Sequence, residues 1–330
     1  VKLWSIPDGR PLMNPVVHAG RVGVVGFGHH SASFLTAQNG GLVRQWRLPN
    51  DDIVHRLDLD ESQSLAAIDP SGQFVMATGV ANVRSNIHST RVHNVHTGEA
   101  VSPIMRTDGF VIIDGVFLPD GKSIATLGRL PDKDSSGGNV IVWEWGTGKP
   151  TDTHDFAAEP RQMCCSPDGK LLAVKCAEGR IVVIPLDGSE PYSWQATNDL
   201  GRAAWWICNG DLRFADDGKT LLSWGPGEKD AGGLSVWDVE TRQLRHRLHG
   251  DSIGSNVKNI DLSSDGQLVA TASFANEARV WSLTSGEPMS VPLVHTGWVH
   301  NVHFSQDGEH LDTNCGDGYA RVWDWKTGQL

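Results

Sequence analysis

Apolar and polar residues alternate along this chain in short runs that glycine-containing turns cut apart. Five such stretches share one form: "VFLPDGKSIATL", "CCSPDGKLLAV", "LRFADDGKTLLSW", "IDLSSDGQLVATAS" and "VHFSQDGEHLDTN". An Asp-Gly pair between two alternating runs predicts a β-hairpin, read here as a type I′ turn with positive φ at both central residues. No stretch keeps a 3.6-residue apolar period over a helical length. The expected fold class is therefore all-β.

A second landmark recurs downstream of these hairpins. The motif V-x-x-W and its relatives end at Trp4, Trp46, His93, Trp143, Val183, Trp237, Trp281 and Trp323, at intervals of 40 to 54 residues. Most copies are followed by a turn such as Thr97-Gly98, Thr147-Gly148, Asp187-Gly188, Ser285-Gly286 or Thr327-Gly328. Asn50-Asp51 and Thr241-Arg242 are weaker versions. Each unit thus reads as strand, Asp-Gly turn, strand, loop, Trp strand, second turn and outer strand. Four short antiparallel strands at this period make one blade of a β-propeller.

The stretch "HTGWVHNVHFSQDGEHLDTNCGDGYARVWDWKTG" resembles a WD repeat, and the resemblance covers essentially the whole chain in seven copies. The last copy is a specific match, and those around residues 58–97 and 155–188 are degenerate. The resemblance implies a seven-bladed β-propeller of four-stranded antiparallel blades, with eight blades as the alternative. Residues 1–330 are read as one propeller. Seven sets of three inner strands, counted from Val16, end at Trp325. Residues 10–18 are then expected to close the last blade as its outer strand, beside Val322–Trp325. Residues 1–9 are expected to be a surplus strand from a preceding unit of a longer array. The Ser-Pro-Asp-Gly turn resembles bacterial arrays, which implies fusion to further domains in the full chain.

Charge narrows the partners. With 28 basic against 39 acidic residues and a net charge of −11, the chain lacks the basic surface that nucleic acid requires. It contains no run of 18 apolar residues, so no membrane helix is expected. The five cysteines are odd in number and show no C-x-x-C spacing, which argues against a disulfide framework or zinc site and for a reducing, cytoplasmic setting.

Thirteen tryptophans could suggest stacking platforms. Trp46, Trp143, Trp237, Trp281 and Trp323 share one repeat position, however, which predicts packing between blades with a buried indole N–H in need of a partner. The family resemblance implies a buried chain in the last blade: Trp323 to Thr313, Thr313 to His295, and the other His295 nitrogen to Asp317. Blade one keeps His18, Thr36 and Trp46, with Gly40 in place of the acid. Blade six keeps Thr271 and Trp281, with Ala275 there. The Thr–His–Asp set also resembles a catalytic triad, but its buried strand setting, its tryptophan and the lack of a nucleophile elbow point to structure. There is no Walker loop, G-x-S-x-G motif or clustered acid pair. "HNVH" occurs at His93–His96 and His300–His303. Residues three apart on a regular strand face opposite ways, so no shared metal is expected, nor any cofactor. "GHH" at residues 28–30 reads as a solvated turn.

The expected function is a non-catalytic scaffold for protein–protein interaction. Length varies mainly in the loops at 80–90, 128–139 and 225–233, with 197–204 and 250–256 on the same side. Insertions confined to one face mark the face that binds. A protein or peptide partner is expected there, with Trp298 as anchor, Arg21 and Phe110 at equivalent positions, and Arg84, Arg129 and Lys133 on neighbouring loops. The alternative is a small-ligand-binding or enzymatic propeller using its central channel. It would need acids or histidines from several blades converging at one channel mouth, and the sequence shows no such set.

Overall fold

The computed structural model describes residues 22–27, 33–38, 42–47, 53–58, 63–82, 87–131, 137–196, 212–225, 233–248 and 257–330. They form seven antiparallel sheets, six of four strands and one of three. Every strand pairs with its neighbour in sequence, so each sheet is a meander. The sheets begin with Val22–Phe27, Gln63–Ile68, Val111–Phe117, Pro160–Cys165, Leu212–Phe214, Val257–Leu262 and Val299–Phe304. They are blades one to seven of the sequence pattern. The chain divides into two compact units, Val1–Met163 and Cys164–Leu330.

Within each unit the core lies between consecutive blades, because a sheet must bury its apolar face against another layer. In the second unit, Ala270, Ala272, Ala278, Val280 and Leu293 of blade six pack on Val299, Val302, Leu311, Trp323 and Trp325. In the first, Met76, Val92 and Met105 of blade two pack on Ile124 and Trp143 of blade three.

The Asp-Gly hairpins form, but not as type I′ turns. The Gly266 N–H donates to the Ser263 carbonyl at 2.9 Å, and Gly169 and Gly308 bond Ser166 and Ser305 in the same way. Only the glycine has positive φ (66° at Gly266), and no Asp of these turns does. The turn is therefore a four-residue loop, 264–267, closed by the Ser263 N–H on the Leu268 carbonyl oxygen, in which a tight turn ends on a left-handed glycine. The aspartate has another task. Asp265 accepts the Ser263 hydroxyl at 2.6 Å and the Gln267 N–H at 3.0 Å, while the Ser263 Oγ accepts the Leu268 N–H at 2.9 Å. A side-chain cap with left-handed glycine replaces the second positive φ.

Two stretches read as loops run partly as strand. The second and third strands of blade two are Phe74–Asn82 and Ile87–Asn94, and in blade three Gly128 pairs Asn139 and Arg129 pairs Gly138. The insertions lengthen the hairpins. Residues 1–21 lie outside the described residues, and so do the expected surplus strand 1–9, the closing strand 10–18, His18 and Arg21. The same holds for residues 28–30, Gly40, Arg84, Lys133, 197–204, 226–232 and 250–256.

Candidate functional site

Two places carry chemistry: the polar chain in blade seven and an exposed aromatic beside it. The Trp323 indole N–H donates to Thr313 Oγ1 at 2.9 Å, and Thr313 Oγ1 lies 2.8 Å from His295 Nε2. His295 Nδ1 lies 2.8 Å from the Leu293 carbonyl oxygen. A carbonyl only accepts, so Nδ1 carries the proton. In neutral His295, Nε2 then accepts the Thr313 hydroxyl proton, and the chain runs in one direction from indole to imidazole. Trp323, Thr313 and His295 are all buried.

Asp317 does not join this chain, contrary to the link implied by the repeat pattern. Its carboxylate takes Arg321 Nη2 at 2.7 Å and Nη1 at 3.2 Å, the Thr296 hydroxyl at 2.6 Å and the Tyr319 N–H at 3.0 Å. Arg321, four residues on across the hairpin, offers a two-pronged cation that a neutral imidazole cannot match. Arg321 and then Thr296 hold the Asp317 carboxyl far below the usual carboxylate range. In blade six, where Ala275 replaces this acid, Glu277 lies 3.7 Å from Arg279, the residue matching Arg321.

The same donor direction makes His295 acid-sensitive. Burial, then the nearby Arg321 charge, lowers its pKa against the pull of the Leu293 carbonyl. The unfolded chain therefore binds the proton more readily, and stability falls as pH drops below about 6.5. His88 and His300 are lowered too, whereas Asp261 raises His303. Comparing wild type with His295→Gln isolates the effect. The variant is expected to lose less melting temperature between pH 7.5 and 5.5, and equal losses would show that His295 does not contribute.

The indole bond recurs. Trp46 donates to Thr36, Trp143 to Thr126 and Trp237 to Ser223, each at 2.9 Å, and Trp281 donates to Thr271 at 3.0 Å. The hydroxyls of Thr126 and Ser223 went unrecognised in the sequence because insertions stretch their separation from Trp to 17 and 14 residues, against 10 in blade seven. Blade four dispenses with the pair: Val174 stands at the Thr position, and Ile184, one residue beyond the Val183 expected from the repeat, stands at the Trp position, both fully buried. Replacing both partners by apolar groups leaves nothing unsatisfied.

His300 and His303 depart from strict alternation. A bulge between Val299 and Asn301 leaves both Val299 and Val302 buried. The two histidines then meet blade six. His300 Nδ1 contacts Lys258 Nζ, and His303 Nδ1 lies 3.8 Å from Asp261 Oδ2. The backbone is tied across the same junction, with Asn259 accepting the Val302 N–H at 3.1 Å and Asp261 that of Phe304 at 2.9 Å. Asp114 does this in the first unit, taking the Met163 N–H at 2.9 Å, and burial pushes its carboxyl up. Among the described residues no group of three or more His, Cys, Asp or Glu side chains could hold a metal ion.

Trp298 precedes the innermost strand of blade seven and is 55% exposed. Its ring meets Phe274 edge-on, with centroids 5.0 Å apart. Lys258 Nζ stands over the Phe274 ring at 5.5 Å. Four side chains from blades six and seven therefore form one surface feature: Trp298, Phe274, Lys258 and His300. Phe110, in the first unit, is half-buried, and its Cβ packs on Gly128, next to Arg129. The sequence could not place Phe274, because only the turn at 274–276 brings it under Trp298.

Comparison with known proteins addresses the repeat directly. The family described as "WD domain, G-beta repeat" matches residues 242–282 and 286–324. Apoptotic protease-activating factor 1 of Rattus norvegicus is 25% identical over 100% of this chain and 24% of its own length. Periodic tryptophan protein 2 of Arabidopsis thaliana is 34% identical over 29% of this chain and 10% of its own. The chain thus spans about a quarter or less of these relatives. Among solved structures, the C-terminal WD40 domain of Sif2 superposes with a TM-score of 0.66 at 15% identity, covering 94% of this chain and 84% of that one. At that identity the likeness concerns the fold alone. No helix among the described residues is long and apolar enough to cross a membrane.

Proposed function

We propose that this chain, which carries WD repeats over residues 242–282 and 286–324 and folds into β-propeller blades, is a non-catalytic scaffold that docks a protein or peptide partner beside Trp298. One observation carries this reading. Trp298 is the largest aromatic exposed among the described residues, yet it is held edge-on against Phe274 rather than packed into its blade. A rigid aromatic with most of its face in water loses little conformational freedom on binding, and such residues dominate interfaces. Tyr319, 68% exposed on the next hairpin of blade seven, extends the aromatic character. Phe110 and Arg129 are carried as secondary contacts, as are Arg21, Arg84 and Lys133, which lie outside the described residues. A cytoplasmic location belongs to the same proposal. It is supported by Cys176 and Cys315, which are buried as thiols and not joined in a disulfide.

Trp298→Ala tests the reading. Affinity for a partner recovered with the wild-type protein is expected to fall at least about tenfold, the loss typical of an interface anchor. Melting should stay within about 2 °C, because the side chain is mostly in water. Unchanged binding, or a large drop in melting with binding intact, would show that Trp298 is only a lid on its own blade.

A further inference from the structure

The residues beneath Trp298 form a closed circuit. Trp298 and His300 lie at the start of the innermost strand of blade seven, and Phe274 and Lys258 belong to blade six. Trp298 stacks edge-on against Phe274, Lys258 stands over Phe274, and the Lys258 ammonium donates to His300 Nδ1. That last contact requires an unprotonated Nδ1, since an ammonium can only donate. The imidazole is also confined on its other edge, where a Cβ at Gly316 would come within 3.2 Å of Nε2. The Gly316 N–H donates in turn to the Trp298 carbonyl at 2.8 Å.

The charges around His300 leave it one neighbour of consequence among the described residues. Lys258 faces it from the inner strand of blade six, while Asp261 of that strand holds His303 and Arg213. On the third strand of blade six, Glu277 and Arg279 lie together. From the hairpin of blade seven, backbone faces His300, because Asp317 is engaged by Arg321 and Thr296. Burial, and after it the Lys258 charge, lower the His300 pKa.

We propose, resting on the docking reading above, that His300 and Lys258 make the Trp298 platform pH-responsive. Protonation at Nδ1 sets imidazolium against ammonium, drives Lys258 away from Phe274 and shifts the edge-on seat of Trp298. The platform is then in docking geometry at neutral pH and leaves it on acidification. The proton comes from solvent, and no covalent step is involved.

The test needs no partner. The protein is labelled with 5-fluorotryptophan, and its ¹⁹F resonances are followed from pH 8 to pH 5. Trp298 is identified by the signal missing from Trp298→Phe. The expected result is a Trp298 shift with a single midpoint below about 6.5, the ordinary histidine value. The shift is lost in His300→Gln, and in Lys258→Met its midpoint moves upward. A Trp298 signal constant across this range, or one that titrates unchanged in His300→Gln, overturns the proposal. Failure here leaves the Trp298→Ala docking test untouched, and failure of docking leaves this titration readable.

Discussion

Gly138→Ala is expected to lower the melting temperature by roughly 6–12 °C. Gly138 begins the third strand of blade three, and its φ is not positive, so the constraint is one of space. A Cβ there would stand 2.5 Å from Pro160 Cγ, 2.6 Å from Pro160 Cδ and 2.6 Å from the Gly128 carbonyl oxygen. None of these can yield alone: one is the backbone of the paired strand and the others belong to a rigid ring on blade four's first strand. Overpacking of this kind costs about 3 kcal/mol, and each kcal/mol moves melting by roughly 2–4 °C in domains of 150–250 residues. Gly146→Ala is the control. Nothing lies within 4 Å of its Cβ position, and its φ is not positive. Equal melting of the two variants would mean that blades three and four do not approach as closely as described.

Thr313→Val should cost about 2–6 kcal/mol. The exchange keeps the shape but removes the hydroxyl that serves Trp323 and His295. Both nitrogens then stay buried without a partner, each at about 1–3 kcal/mol. Thr313→Ser keeps the hydroxyl and should lose no more than about 1 kcal/mol for the deleted methyl group. The measurement is denaturant unfolding of both variants, and equal stability would show that the polar chain contributes nothing. Blade four explains why the loss is not inherent in the fold: with Val174 and Ile184 in place, neither polar partner exists to be orphaned.

The sequence was most legible where local chemistry repeats. Alternation, the x-Asp-Gly turns and the spaced tryptophans point to all-β blades, because each depends on neighbours a few residues apart. The indole–hydroxyl bonds of blades one, six and seven were legible for the same reason, since their separation of ten residues is one hairpin. Those of blades three and five were not, because lengthened hairpins hide the spacing.

Competition between partners was decided only in three dimensions. Asp317 could be assigned to His295 from the repeat pattern, yet Arg321 lies across the hairpin and a guanidinium outbids an imidazole for a carboxylate. A one-residue bulge, invisible in a list of residue types, brings His300 and His303 to Lys258 and Asp261. The sequence by itself determined the blade and its repeat, since hydrophobic period and turn chemistry act locally. Which side chain meets which across blades six and seven, and so the seat of Trp298 on Phe274, was left to the tertiary structure. Such contacts depend on register and approach between strands far apart in the chain, and no local pattern encodes those distances.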